Sequence, residues 1–216
     1  MTNRRQVLKK LLRLWGAVLP LMGIDMTRAA NLLAAARKRI VPSHADPQSL
    51  RNANPSHLDT GQMPLMPLER FDTMGEEKAA FDARTWRLTI DGKVGQPLSL
   101  AYPALRSQPV LERNVLLICP GVFVNYGRWR GFSLDALLKE ARPLPGIKAV
   151  VIYSDSGTNI LKERFEIAEV RADMVFLAYG VNGQDLPEKH GFPLRVVAEG
   201  HYGYTWAKYV ARIEVR

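Results

Sequence analysis

The chain has 216 residues, 47% of them apolar, 24% charged and 8% aromatic, enough for one sizeable domain or two small ones. Its 16 glycines and 14 prolines show no period, no apolar run reaches about 18 residues, and only one cysteine is present. Collagen-like, low-complexity, polytopic membrane and disulfide-framework classes are thereby excluded. The formal net charge of +9 is uneven: residues 1–45 hold nine basic residues and one acid, leaving 21 basic and 20 acidic residues in 46–216. A body that close to neutral lacks the gathered Lys and Arg that phosphate neutralisation needs, so no nucleic-acid partner is expected.

The first 45 residues read as a leader. Paired Arg4 and Arg5, then Val7, Leu8 and Lys9, precede a moderately apolar stretch over 14–24 broken by Gly16, Pro20 and Gly23. A charged start before a short apolar region is an export layout, and the twin arginine looks like a Tat signal, read by a receptor rather than inserted as an anchor. Periplasmic localisation follows as an expectation, with membrane association if the leader is retained. Residues 46–68, with four prolines, two asparagines, two aspartates and Gly61, read as a linker or wrapping arm, and 69–216 as the folded body.

Within the body, 86–90 alternates as a strand that Asp91 and Gly92 turn toward a partner at 98–100. A short helix is predicted over 102–107. The continuous apolar run 115–119 predicts a strand buried on both faces, ended at Cys119 by Pro120 and Gly121, which open a loop. Residues 132–140 form an amphipathic helix that Ser133 caps. Further strands are predicted over 149–153, 174–179, 193–197 and 210–215. Strands outnumber helices and short turns join several of them, so the fold class is mixed, strand-rich α+β.

Two features carry chemistry. Cys119 stands at a strand end, where active-site groups emerge; most free cysteines are small buried hydrophobes, but a thiolate is also a soft ligand for transition metals. No CxxC, HExxH, GxSxG or Walker sequence accompanies it. The second feature is the Gly-punctuated, donor-rich stretch from His190 through Arg195 and His201 to Lys208, a composition suited to an anionic ligand. A cysteine hydrolase pairing Cys119 with His190 or His201 is the alternative these residues leave open.

From about residue 71 onward the chain resembles the molybdopterin-binding domain of the sulfite oxidase family, in the exported, Tat-dependent branch that includes the catalytic subunit of periplasmic methionine sulfoxide reductase. The residues carrying the likeness are the strand from Trp86, Cys119, the stretch from Trp129 to Leu138, Val181 to Pro187, the H-G-F-P-L-R of His190 to Arg195, and Tyr202 through Lys208. The resemblance implies a sulfite-oxidase-type fold and a molybdenum–molybdopterin cofactor. Cys119 would be the metal-bound, catalytic thiolate, and Ser154, His190, Arg195, Trp206, Ala207 and Lys208 would hold the pterin and its phosphate. Asp72 and Thr73 match an N-terminal contact. The implied activity is oxygen-atom transfer on a small molecule, with a membrane haem protein or soluble cytochrome as redox partner and a monomeric state. The segment after Cys119 has neither the glutamate of the methionine sulfoxide reductase branch nor the arginine of sulfite oxidases. An apolar mouth of Val122, Phe123, Tyr126 and Trp129, with Arg128 and Arg130 as its first cations, favours a neutral S-oxide or N-oxide. Sulfite oxidation, or a cofactor-free binding module with the same fold, are the alternatives.

Overall fold

The computed structural model describes residues 38–75, 81–155 and 160–216, so the twin arginine and apolar stretch of the leader lie outside the described residues. Residues 39–216 form one compact unit. In chain order its elements are β1 (Arg39–Ile40), β2 (Leu58–Asp59), β3 (Arg87–Gly92), β4 (Leu98–Ala101), α1 (Tyr102–Arg106), β5 (Val110–Cys119), β6 (Phe123–Phe132) and α2 (Leu134–Glu140). There follow β7 (Ala149–Asp155), β8 (Ile160–Glu166), α3 (Ile167–Arg171), β9 (Val175–Val181), β10 (Gln184–Asp185), β11 (Arg195–Ala198) and β12 (Val210–Val215). Short 3-10 turns fill several connections. No described helix is long and apolar enough to cross a membrane.

Two five-stranded sheets carry the fold, one mixed and the other wholly antiparallel. One runs β4-β3-β12-β7-β8, with β3 and β12 parallel; the other runs β10-β9-β6-β5, with β11 also on β9. A single apolar cluster joins Leu88, Ile90, Val150, Ile152 and Ile213 of the first to Ile118, Val124, Phe176 and Val196 of the second. The arm ahead of them takes part too, burying Val41, Leu50, Leu58, Met66 and Phe71 in the same cluster. Burying such side chains is worth roughly 1.5–3 kcal/mol each, so the arm belongs to the folded body. The α+β, strand-rich class expected from the sequence is the one observed.

Several elements differ from expectation for identifiable reasons. Asp91 and Gly92 do not turn β3; they continue it, because Glu214 and Val215 of β12 pair with them in parallel. The loop expected after Cys119 is only a three-residue turn, Pro120, Gly121 and Val122, before the ten-residue strand β6. That strand escapes a hydrophobicity reading because Arg128 and Arg130 face outward and Gly127 and Gly131 interrupt the apolar pattern. Gly131 is obligatory in this packing: a Cβ there would be driven into the Leu177 carbonyl of β9. The edge strand β8 is hidden by its charge, with Lys162, Glu163 and Arg164 inside it. Helix α2 is as predicted, with the Ser133 hydroxyl accepting the Ala136 amide at 3.2 Å and Leu134, Leu137 and Leu138 buried.

Candidate functional site

One cavity of about 490 Å³ opens where the ends of both sheets meet. Its walls include Ser154 and Leu161 from β7 and β8, Leu117, Cys119, Phe123 and Asn125 from the β5–β6 hairpin, and Arg195 at the start of β11. Residues 72–75 cross one side as a strap, and the loop ahead of β12 supplies Trp206, Ala207 and Lys208 on another. The volume is typical of a small-molecule or cofactor site. Of the nine residues singled out in the sequence, the cavity brings together Asp72, Thr73, Cys119, Ser154, Arg195, Trp206, Ala207 and Lys208. His190 does not line it.

Cys119 is partly exposed and its Sγ lies 3.4 Å from the Met74 sulfur on the strap. Desolvation pushes its thiol pKa up. The hydrolase alternative required a histidine on this thiol. Instead, His190 has no hydrogen-bond partner on either ring nitrogen, and His201 Nε2 bonds Glu169 at 2.7 Å. Neither histidine is therefore hydrogen-bonded to Cys119, and the Cys–His pair is not formed.

Arg195 is the unusual charge. It is 4% exposed, and its donors reach only backbone carbonyls: His190 at 3.0 Å, Trp206 at 3.5 Å and Val196 at 3.5 Å. Its guanidinium lies against the rings of Trp129 at 4.9 Å and Trp206 at 5.6 Å. Burial drags its pKa down to about 10, with Tyr209 opposing the fall. A buried guanidinium without a carboxylate is unusual, since buried charges are ordinarily paired. Gly191, at φ +108°, lets the chain turn closely enough that a Cβ there would touch the Cβ atoms of both Arg195 and Lys208 at 3.1 Å. The two cations are thus held on one side of the cavity, where Lys208 Nζ bonds the Lys189 carbonyl at 3.0 Å and Thr73 Oγ1 at 3.4 Å.

His190 sits behind this group, 1% exposed, with its ring edge-on to Phe71 at 6.1 Å. Burial, and then the neighbouring cations Arg195, Lys189 and Lys208, lower its pKa to about 4, so it is neutral at pH 7. The expected aromatic mouth is also corrected. Tyr126 and Trp129 are buried in the core on β6 and Arg128 and Arg130 are absent from the lining, while Phe123 remains and Met74, Leu161 and Tyr204 complete an apolar rim.

Asn125, Met74 and Leu161 were not singled out in the sequence. A polar residue at an inward position of an otherwise apolar strand is the signal for Asn125, visible only once 123–132 is read as a strand. Among the described residues, no group of three His, Cys, Asp or Glu side chains could hold a metal ion. What the cavity does present fits a large anionic, sulfur- and nitrogen-bearing cofactor: a thiol on one wall and an unneutralised buried cation on another, with orphaned imidazole nitrogens behind it.

In fold, the chain is similar to the sulfane dehydrogenase SoxCD of Paracoccus pantotrophus, with a TM-score of 0.60 and 20% sequence identity over 86% of this chain. The match spans 52% of that chain, so this chain corresponds to about half of its relative's length. The family model for the oxidoreductase molybdopterin binding domain matches residues 75–216, which takes in every wall of the cavity except residues 72–74 of the strap. With two thirds of its length inside that match, the chain belongs to the oxidoreductase molybdopterin-binding domain family, the sulfite oxidase family.

Proposed function

We propose that the protein is a molybdenum-dependent oxidoreductase that removes an oxygen atom from a neutral S-oxide or N-oxide, with the Cys119 thiolate as the protein's ligand to the metal. The observation that carries this reading is the pairing, across one cavity, of that thiol with a buried guanidinium that has no carboxylate. Because no group of three His, Cys, Asp or Glu among the described residues could hold a metal ion, the remaining metal ligands would come from the cofactor itself. Bound there, molybdenum–molybdopterin supplies the two-electron chemistry, in which oxide, two electrons and two protons give the reduced product and water.

The protein's own part is to bind, orient and exclude water. Arg195 and Lys208 take the cofactor phosphate, and each charge-assisted contact of this kind is worth about 1.5–3 kcal/mol. Ser154, Trp206 and Ala207, with Asp72 and Thr73 of the strap, line the rest of the pterin's bed, and neutral His190 offers its free ring nitrogens behind it. Near the thiol the lining is Met74, Leu117 and Phe123, an apolar wall better matched to an uncharged oxide than to dianionic sulfite. Tat export to the periplasm and a haem-bearing electron donor, either membrane-bound or a soluble cytochrome, complete the proposal, with the protein acting as a monomer.

The test is elemental. Full chain purified from a host that makes the cofactor is expected to contain close to one molybdenum, and Cys119→Ala essentially none. Equal metal in both would sink the ligand assignment. Reduced viologen with a panel of S- and N-oxides, set against sulfite with an electron acceptor, then decides the reaction; rapid sulfite turnover beside inert oxides would overturn the direction proposed.

A further inference from the structure

Strand β6 pairs with β9 only from Trp129 onward, so its first half would expose an unpaired backbone edge. The arm covers it. The side chain of Gln48 accepts the Val124 amide at 3.2 Å and donates to the Val124 carbonyl at 3.0 Å. The Met66 amide donates to the Tyr126 carbonyl at 2.9 Å, and Asn182 takes both backbone groups of Arg128 at 2.9 and 2.8 Å. Val124, Tyr126 and Arg128 are thus satisfied through their backbones.

Asn125 lies between them, its backbone in register with Leu117 of β5 and its side chain 1% exposed on the cavity wall. A buried amide must find partners, and this one finds them on a single residue. Its oxygen accepts the Asp72 amide at 3.1 Å and its nitrogen donates to the Asp72 carbonyl at 2.8 Å. The far side of the strap is held by Thr73 Oγ1 donating to the Lys189 carbonyl at 3.1 Å. Between these two fastenings and just beyond them, the strap delivers Asp72, Thr73 and Gly75 to the cavity and seats the Met74 sulfur on Cys119.

We propose that Asn125 is a positioning residue: its amide clamps the strap of residues 72–75 across the cavity, and through the strap it sets both the access to Cys119 and the retention of the cofactor. The cofactor half of this statement rests on the function proposed above; the access half does not. No other described side chain donates to or accepts from the Asp72 backbone, so loss of Asn125 leaves the strap held only by the buried Phe71 before it and the Thr73 hydrogen bonds after it, and loosens it where it crosses the cavity.

Two measurements on the full chain test the clamp. In cofactor-free protein, the rate of Cys119 alkylation by iodoacetamide is expected to rise several-fold in Asn125→Ala. Asn125→Asp, which keeps the shape but loses the donor, should follow it, and covers the case in which the alanine variant fails to fold. Met74→Ala, which strips the cover from the thiol and leaves the clamp, should also speed labelling. Val124→Ala damages the same strand but not the clamp and should label at the wild-type rate, separating positioning from general destabilisation. In cofactor-loaded protein, pterin retained through gel filtration, read by the fluorescence of its oxidised form, should fall at least tenfold in both Asn125 variants and stay at the wild-type level in Val124→Ala. Wild-type labelling and full pterin retention in the Asn125 variants would overturn the proposal, as would a Val124→Ala variant that behaves as they do. If wild type holds no pterin at all, the cofactor reading fails while the labelling rates still judge the clamp.

Discussion

Replacing Arg195 with methionine separates a cation kept for a ligand from a cation kept for the fold. Burial lowers its pKa from the ordinary guanidinium range to about 10, which corresponds to a cost of roughly 3 kcal/mol for the charged form. Because the folded value lies below the unfolded one, that cost is present at every pH below about 10 and fades only as pH rises from there toward the ordinary guanidinium value. Against it stand two indole faces, worth about 2 kcal/mol at most each when desolvated, and a charge-assisted bond to the His190 carbonyl of about 1.5–3 kcal/mol. Those attractions sum to about 2.5–7 kcal/mol, and a buried methionine in their place recovers about 1.5–3 kcal/mol of apolar packing, so the exchange comes out close to even. Arg195→Met in the cofactor-free full chain should therefore shift stability by only about 1 kcal/mol, or about 2–4 °C in Tm for a chain of this size. Cofactor binding should suffer more, since losing a charge-assisted phosphate contact costs about 1.5–3 kcal/mol, or roughly 10- to 100-fold in affinity. Thermal melts of the empty chain and pterin retention of the loaded one measure the two effects separately. If the empty variant melts 10 °C or more below wild type yet retains cofactor normally, the reasoning is refuted, because breaking a structural buried pair costs about 3–5 kcal/mol.

Two further outcomes follow from the same geometry. His190 has its folded pKa lowered to about 4 from 6.5, so between those values the unfolded chain binds more protons and stability falls as pH falls, by as much as about 3 kcal/mol in all; urea melts of the cofactor-free chain should show a shallower acid limb in His190→Gln, and parallel limbs would contradict the burial of a neutral imidazole. Gly131→Ala drives a methyl group into the Leu177 carbonyl and should cost more than about 4 kcal/mol, leaving little soluble protein; a variant melting within a few degrees of wild type would mean that β6 and β9 are not packed as described.

How much of this was legible depended on which physical signal each residue sends. The run 115–118 is apolar without interruption because both of its faces are covered, so the strand and its end at Cys119 could be read directly. Helix α2 announced itself through its cap and its leucine spacing. Strands β6 and β8 did not, because their outward residues are charged and the glycines of β6 answer to neighbours distant in sequence, such as Phe71 and Leu177. The site divides the same way. Cys119 and the donors from His190 to Lys208 were visible as residue types, and the resemblance ordered them. The burial of Arg195 between two indoles was not visible, since arginine in a sequence reads as surface, nor was the side-chain clamp of Asn125 on a segment 53 positions away.

The position of β12 has a consequence for how the protein is made. Residues 210–215 are the middle strand of the first sheet, bonded to β3 on one side and β7 on the other, and the cavity loop leads directly into them. While the ribosome is still adding those residues, β3–β4 and β7–β8 are separate hairpins with nothing to join them, and two-stranded pieces are marginal alone. The first sheet closes only after residue 215 has emerged, and Lys208 and Trp206 reach their places only then. Sheet closure is therefore a late, long-range event, slow by its topology and exposed to aggregation until it is complete. Any cofactor must be delivered to a chain whose synthesis has already passed that point, so loading follows closure of the sheet and competes with misassembly during that interval.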